Sequence, residues 1–195
     1  DGDIDLYLSN NEGNIFYYQN NNAIAYIQQT TRGSNPFDLG FIGTFASPAA
    51  FDADDDGDID IFVGRSDGKV MYFKNTGDPN NPSFVKMTSN NPLSIVRGGS
   101  YTKKSGTGNY KTLCAVDANN DGKMDFYIGN SDGNVFFYKN TGSKTNPAYT
   151  KYKTTGNPFY GEVDGVLKMF DFGEHSSVAV FDSDNDGDYD AFIGN

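Results

Sequence analysis

Tryptophan is absent from the 195 residues, and cysteine and histidine occur once each. A single thiol, Cys114, permits no disulfide within the chain, and its apolar setting reads as a small hydrophobe rather than a nucleophile. His175, beside Glu174 and just before an apolar run, reads as a surface loop residue. No Ser-His-Asp set, zinc motif or phosphate-cradling glycine loop is present. Positive charge is also scarce: 15 Lys and Arg stand against 26 Asp and Glu, a net charge of −11 that argues against non-specific nucleic-acid binding. No apolar run approaches the length of a membrane span, and no secretory signal is visible. No Asn-x-Ser/Thr acceptor with x other than Pro occurs, so N-glycosylation is not expected. What the chain does have is 23 glycines and 15% aromatic residues, all Phe and Tyr. That mixture suits short strands, tight turns and a packed core rather than disorder.

One stretch organises the rest. Asp52-Ala-Asp-Asp-Asp-Gly-Asp-Ile-Asp-Ile-Phe-Val-Gly64 recurs as Asp117-Ala-Asn-Asn-Asp-Gly-Lys-Met-Asp-Phe-Tyr-Ile-Gly129 and as Asp182-Ser-Asp-Asn-Asp-Gly-Asp-Tyr-Asp-Ala-Phe-Ile-Gly194. Half of a fourth copy opens the chain at Asp1-Gly-Asp-Ile-Asp-Leu-Tyr-Leu-Ser9. Oxygen side chains fall at loop positions 1, 3, 5 and 9, with glycine at 6. Alternate positions of a tight loop aim their oxygens at one centre, and glycine permits the left-handed backbone that closes it. Hard anionic oxygens without His or Cys suit a hard cation, and the ligand number suits Ca²⁺ better than Mg²⁺. Without a cation the carboxylates would repel one another. An EF-hand is excluded, because its bidentate Glu at position 12 is replaced by Val63, Ile128 and Ile193, and apolar strand-like runs replace its helices. A plain acidic turn would not keep the same five positions three times over.

The motif glycines Gly2, Gly57, Gly122 and Gly187 define the repeat. Each loop is followed by an apolar strand, then a hairpin turn such as Arg65-Ser-Asp-Gly-Lys69 or Asn130-Ser-Asp-Gly-Asn134. A second apolar strand follows: Ile15–Tyr18, Val70–Phe73 or Val135–Tyr138. An Asn-led loop leads to a more polar third strand at Ala25–Gln28, Phe84–Met87 or Tyr149–Tyr152, and a variable connection returns to the strand before the next loop. No helix is expected. Strands apolar on both faces imply burial on both sides, and the polar third strand an outer edge. The expected fold is all-β, with four-stranded antiparallel sheets arranged as β-propeller blades. The expected division is a partial blade over 1–34, blades over 35–90 and 91–156, and a partial blade over 157–195. That is about three blades of a larger propeller, so the chain reads as a window onto a longer one.

These residues resemble the FG-GAP/VCBS repeat family, the calcium-loop propeller repeats also found in integrin alpha subunits. The matching elements are Asp-x-Asp/Asn-x-Asp-Gly-x-x-Asp, the hydrophobic-Gly pairs ending at Gly64, Gly129 and Gly194, Ser-Asp-Gly, the aromatic strand and Asn-Thr-Gly. The resemblance covers nearly the whole chain. The Phe-Gly and Gly-Ala-Pro signatures are not intact, so the bacterial-type VCBS variant is the closer match. It implies a seven- or eight-bladed propeller with Ca²⁺ in the loop between the first two strands of each blade. The implied ligands are Asp52, Asp54, Asp56 and Asp60 with the carbonyl of Asp58. The next set is Asp117, Asn119, Asp121 and Asp125 with the carbonyl of Lys123. The third is Asp182, Asp184, Asp186 and Asp190 with the carbonyl of Asp188. Asp1, Asp5 and the carbonyl of Asp3 form a partial fourth site. Asn119 and Lys123 make the middle site the weakest expected binder.

The expected function is a calcium-stabilised extracellular or cell-surface module for protein interaction, adhesion or surface structure. Its partner would be a protein or a glycan, with neither nucleic-acid binding nor membrane insertion. Extracellular calcium modules bind at roughly 10⁻⁴ to 10⁻³ M, which matches millimolar Ca²⁺. A lectin-like module is the alternative, with Tyr101, Tyr110, Phe159 and Tyr160 available to stack on sugar rings unless they simply pack over the blade ends. A polysaccharide-degrading enzyme is the third reading. It finds no catalytic set here, since calcium accounts for the spacing of the Asp pairs.

Overall fold

The computed structural model describes residues 5–20, 26–29, 41–96, 109–154 and 156–195. Asp1 and Asp3 of the partial site, Tyr101 and the junction at 34/35 lie outside the described residues. The all-β expectation holds: fifteen strands and no helix are present among the described residues, and every pairing is antiparallel.

A three-stranded sheet comes first, with β1 (Leu6–Ser9), β2 (Ile15–Asn20) and β3 (Tyr26–Gln28) in sequence order. A four-stranded sheet follows: β4 (Ser47–Phe51), β5 (Asp60–Gly64), β6 (Val70–Asn75) and β7 (Phe84–Lys86). The next repeats it with β8 (Thr112–Val116), β9 (Asp125–Gly129), β10 (Val135–Asn140) and β11 (Tyr149–Tyr152). Then come a hairpin, β12 (Tyr160–Val163) with β13 (Val166–Met169), and the pair β14 (Ser177–Phe181) with β15 (Asp190–Gly194). The β12–β13 hairpin falls in the variable connection, where no strand is expected from the repeat. Its turn, Asp164-Gly165, is a strong two-residue hairpin signal, and both residues have positive φ.

Period-two alternation explains the packing. Phe62, Val70 and Tyr72 leave one face of the β4–β7 sheet to meet Phe126, Ile128, Phe136 and Tyr138 of the next sheet. Ile61, Val63, Met71 and Phe73 leave the other face and meet Ile15 and Tyr7 of the sheet before. One repeat later, Tyr127, Val135 and Phe137 pack with Val178, Val180 and Ile193. The middle strands β5, β6, β9 and β10 are therefore buried on both faces, which is why they lack polar alternation. Fully burying side chains of this size contributes roughly 1.5–3 kcal/mol each. Cys114 is half-buried in β8 beside the Tyr127 cluster, and burial raises the pKa of its thiol.

Backbone contacts hold consecutive sheets together. The hairpin turn of one unit bonds to the segment entering the next, as in Lys111 N–H to Arg65 O (3.2 Å) and Ser176 N–H to Asn130 O (3.0 Å). A Cβ on Gly64 would strike the carbonyl of Lys111, and one on Gly129 that of Ser176. Glycine ends these strands because the next sheet's backbone lies against them.

Candidate metal centres

Each Asp-rich loop joins the first two strands of a sheet: β4 to β5, β8 to β9, and β14 to β15. The three loops share one internal scaffold. Asp52 accepts the N–H of Asp56 (3.2 Å) and of Gly57 (2.9 Å). Asp117 accepts those of Asp121 (3.0 Å) and Gly122 (2.6 Å), and Asp182 those of Asp186 (3.2 Å) and Gly187 (3.0 Å). Position 5 caps position 7 in the same way, with Asp56, Asp121 and Asp186 accepting from Asp58, Lys123 and Asp188. Glycine at position 6 has positive φ in all three loops (91°, 78° and 93°). Position 4 is left-handed as well, at Asp55, Asn120 and Asn185 (φ 58°, 54° and 60°). The sequence reading did not single out that position, although Asp and Asn, which tolerate this backbone, were its signal.

The structure gathers the carboxylates of Asp52, Asp54 and Asp56 so that one oxygen from each lies within 4.8 Å of the others, and does the same with Asp182, Asp184 and Asp186. In the middle loop Asn119 instead donates its side-chain amide to Asp121 (3.2 Å). There Lys123 Nζ lies 3.3 Å from Asp121 and Lys139 Nζ 3.8 Å away. In the first full loop Lys74 pairs with Asp54 and, at 3.1 Å, with Asp56. Hydrogen bonding to Asp54 holds the Lys74 ammonium well above its ordinary pKa, against the opposing pull of desolvation. Lys74 and Lys139 are repeat-equivalent, each just before Asn-Thr-Gly, and the sequence reading passed over both.

Position 9 behaves differently from positions 1, 3 and 5. Asp60 and Asp125 are fully buried. Their Oδ1 atoms accept the backbone N–H of Asn75 (2.7 Å) and Asn140 (2.7 Å), and Asp5 accepts that of Asn20 (2.9 Å). The second oxygen of Asp60 accepts the Tyr72 hydroxyl (2.8 Å), and that of Asp5 the Tyr17 hydroxyl (2.6 Å). Burial pushes Asp60 up to about 6 despite those two donors, and it raises Asp125 too. In the third full loop Asp190 is exposed and accepts both the backbone and the hydroxyl of Ser183. Asn75 and Asn140 then carry the fold onward, with Asn75 Oδ1 accepting Gly77 and Ser83 N–H and Asn140 Oδ1 accepting Gly142 and Ala148 N–H.

Three buried side-chain oxygens in these loops have no hydrogen-bond partner: Asp54 Oδ1, Asp58 Oδ1 and Asp125 Oδ2. A buried acceptor left unmatched costs about 1–3 kcal/mol, and more when charged. A hard cation would supply the missing partner, so the donor set fits a divalent metal. Of the aromatic residues named from sequence, Phe159 is buried against Tyr127 and Phe172, and Tyr160 lies half-buried in β12. Tyr110 is half-buried before β8, its ring edge-on to Phe45 and to His175.

Residues 52–128 match the family model described as FG-GAP-like repeat, a span that takes in the first two full loops and the strands after them. No curated protein is significantly similar to the chain.

Proposed function

With residues 52–128 belonging to the FG-GAP-like repeat family, we propose that the chain forms part of a calcium-stabilised β-propeller, acting outside the cell as a non-catalytic interaction or adhesion module. The observation that carries this reading is the gathering of the Asp52, Asp54 and Asp56 carboxylates, and of Asp182, Asp184 and Asp186, each around one centre, with Asp54 Oδ1 buried and unmatched in the first. Asp52, Asp54, Asp56 and Asp182, Asp184, Asp186 would hold one ion each, with the carbonyls of Asp58 and Asp188. Asp117, Asn119, Asp121 and the carbonyl of Lys123 would hold a weaker one. Asp60, Asp125 and Asp190 close the far side of each loop. Bound Ca²⁺ supplies charge neutralisation and a clamp between two strands, and its binding energy adds to folding. Sites of this ligand type fill at millimolar Ca²⁺, which points to an extracellular setting.

A thermal melt in millimolar CaCl₂ and in excess EGTA tests the proposal. Calcium is expected to raise the melting temperature by several degrees, and Mg²⁺ by much less. Asp54→Asn, which keeps the shape but weakens the ligand, should remove the first loop's share of the calcium-dependent rise and leave the rest, while Asp67→Ala in the hairpin turn should leave all of it intact. An identical melt with and without calcium in a folded protein would end this reading.

A further inference from the structure

Phe45, Tyr110 and His175 occupy one repeat position, each two residues before the first strand of its sheet. Their rings meet edge to face in a row, with centroids 4.9 Å apart for Phe45–Tyr110 and 5.0 Å for Tyr110–His175. All three have a left-handed backbone, at φ 51°, 55° and 63°. That conformation suits glycine and is unfavourable for bulky side chains. Three aromatic rings in a conformation that glycine would adopt more easily need a reason beyond the turn itself. Burial is not that reason, since Phe45 is 49% exposed and His175 is exposed too.

The row borders a cleft of about 630 Å³ lined also by Ser9, Asn10, Asn11, Ser47 and Thr112. The cleft sits at the opposite end of the first strands from the Asp-rich loops, because those loops begin where β4, β8 and β14 finish. Although acidic residues outnumber basic ones in the chain, no carboxylate lines this cleft among the described residues, where its charged group is Lys111, a buried residue. Its size lies within the roughly 300–1,000 Å³ of small-molecule sites, and aromatic faces bordered by a few fixed polar groups are their usual lining. The amide of Asn10 is held in place, since its Oδ1 accepts the N–H of Glu12 (3.1 Å) and Asn14 (3.0 Å). The row is braced from sheet to sheet by Ser66 N–H to Thr44 O (3.1 Å), Tyr110 N–H to Ser66 O (3.3 Å), Ser131 N–H to Asn109 O (2.9 Å) and His175 N–H to Ser131 O (3.3 Å).

We propose that this row of rings is the floor of a binding site for a neutral oligosaccharide chain. Pyranose C–H faces pack on aromatic rings, and the sugar hydroxyls find side-chain amides and hydroxyls at the rim. A cationic ligand would call for carboxylates, which the lining lacks among the described residues, and a nucleic-acid strand would be repelled by the net charge of −11. The inference deepens the interaction-module reading and rests on it.

The experiment is titration calorimetry of the calcium-loaded protein with cellohexaose, chitohexaose, laminarihexaose and maltohexaose. The key variant is Tyr110→Gly, which removes a ring while giving the backbone the residue it favours. At least one oligosaccharide is expected to bind, with affinity falling tenfold or more in Tyr110→Gly and in Phe45→Gly. The melting temperature of Tyr110→Gly should stay the same or rise, separating lost binding from lost folding. No binding by any of the four sugars, or equal binding by wild type and both variants, would overturn the proposal. A partner peptide competing for the cleft while no sugar binds would overturn it as well. The calcium-dependent melt is independent of the result, so failure of this inference is distinguishable from failure of the module reading.

Discussion

Phe137 stands where the two preceding units have Tyr17 and Tyr72, and the missing hydroxyl leaves a mark on its neighbour. Asp5 and Asp60 each receive a tyrosine hydroxyl on the second oxygen, whereas Asp125 Oδ2 is buried without a partner. In metal-free protein, Phe137→Tyr is therefore expected to stabilise the fold by about 1 kcal/mol, the net value of a hydrogen bond to an otherwise unmatched group. Urea unfolding in EGTA measures it, and a loss of stability would show that no hydroxyl fits there. At this scale the sequence was informative where spacing and chemistry coincided. Asp52, Asp54 and Asp56 read as a cluster because oxygen ligands at alternate positions serve one purpose, and the fold gathers them. Phe45, Tyr110 and His175 did not read as a set, since they share a position and a backbone angle but not a side chain. Lys74 and Lys139 were equally hidden, because a lysine in a strand gives no hint that its end reaches a loop about twenty residues earlier.

Elements were more legible than residues. Apolar runs on both sides of each Asp-rich loop became β4, β5, β8, β9, β14 and β15, and the Asp-Gly turns became hairpins. The β12–β13 hairpin was missed although Asp164-Gly165 announced it, because the repeat drew attention to what recurs and this hairpin does not. The junctions between sheets could not be read at all, since a glycine says only that something lies close, not what. The structure names the neighbour: Lys111 O lies where a Cβ of Gly64 would be, and Ser176 O where a Cβ of Gly129 would be. Gly129→Ala is thus expected to cost about 1–3 kcal/mol through overpacking at the junction. Denaturant unfolding of the variant beside the wild type measures the cost.

For the whole molecule, the net charge of −11 is concentrated where the loops cluster their carboxylates, and three Ca²⁺ would cancel about half of it. Metal-free protein should accordingly melt higher as NaCl rises toward ~1 M, where charges are screened within about 3 Å. Calcium-loaded protein should respond much less, and a melt series in both states reads the difference. The sheet order has a consequence of another kind. Among the described residues every strand in these sheets pairs with a neighbour in the chain, and no sheet borrows a strand from a distant segment. Closing each hairpin thus needs only a short search, which favours rapid folding from many starting points. During synthesis, an early sheet can settle while the later ones are still unmade, each new sheet finding an apolar wall already standing to build against.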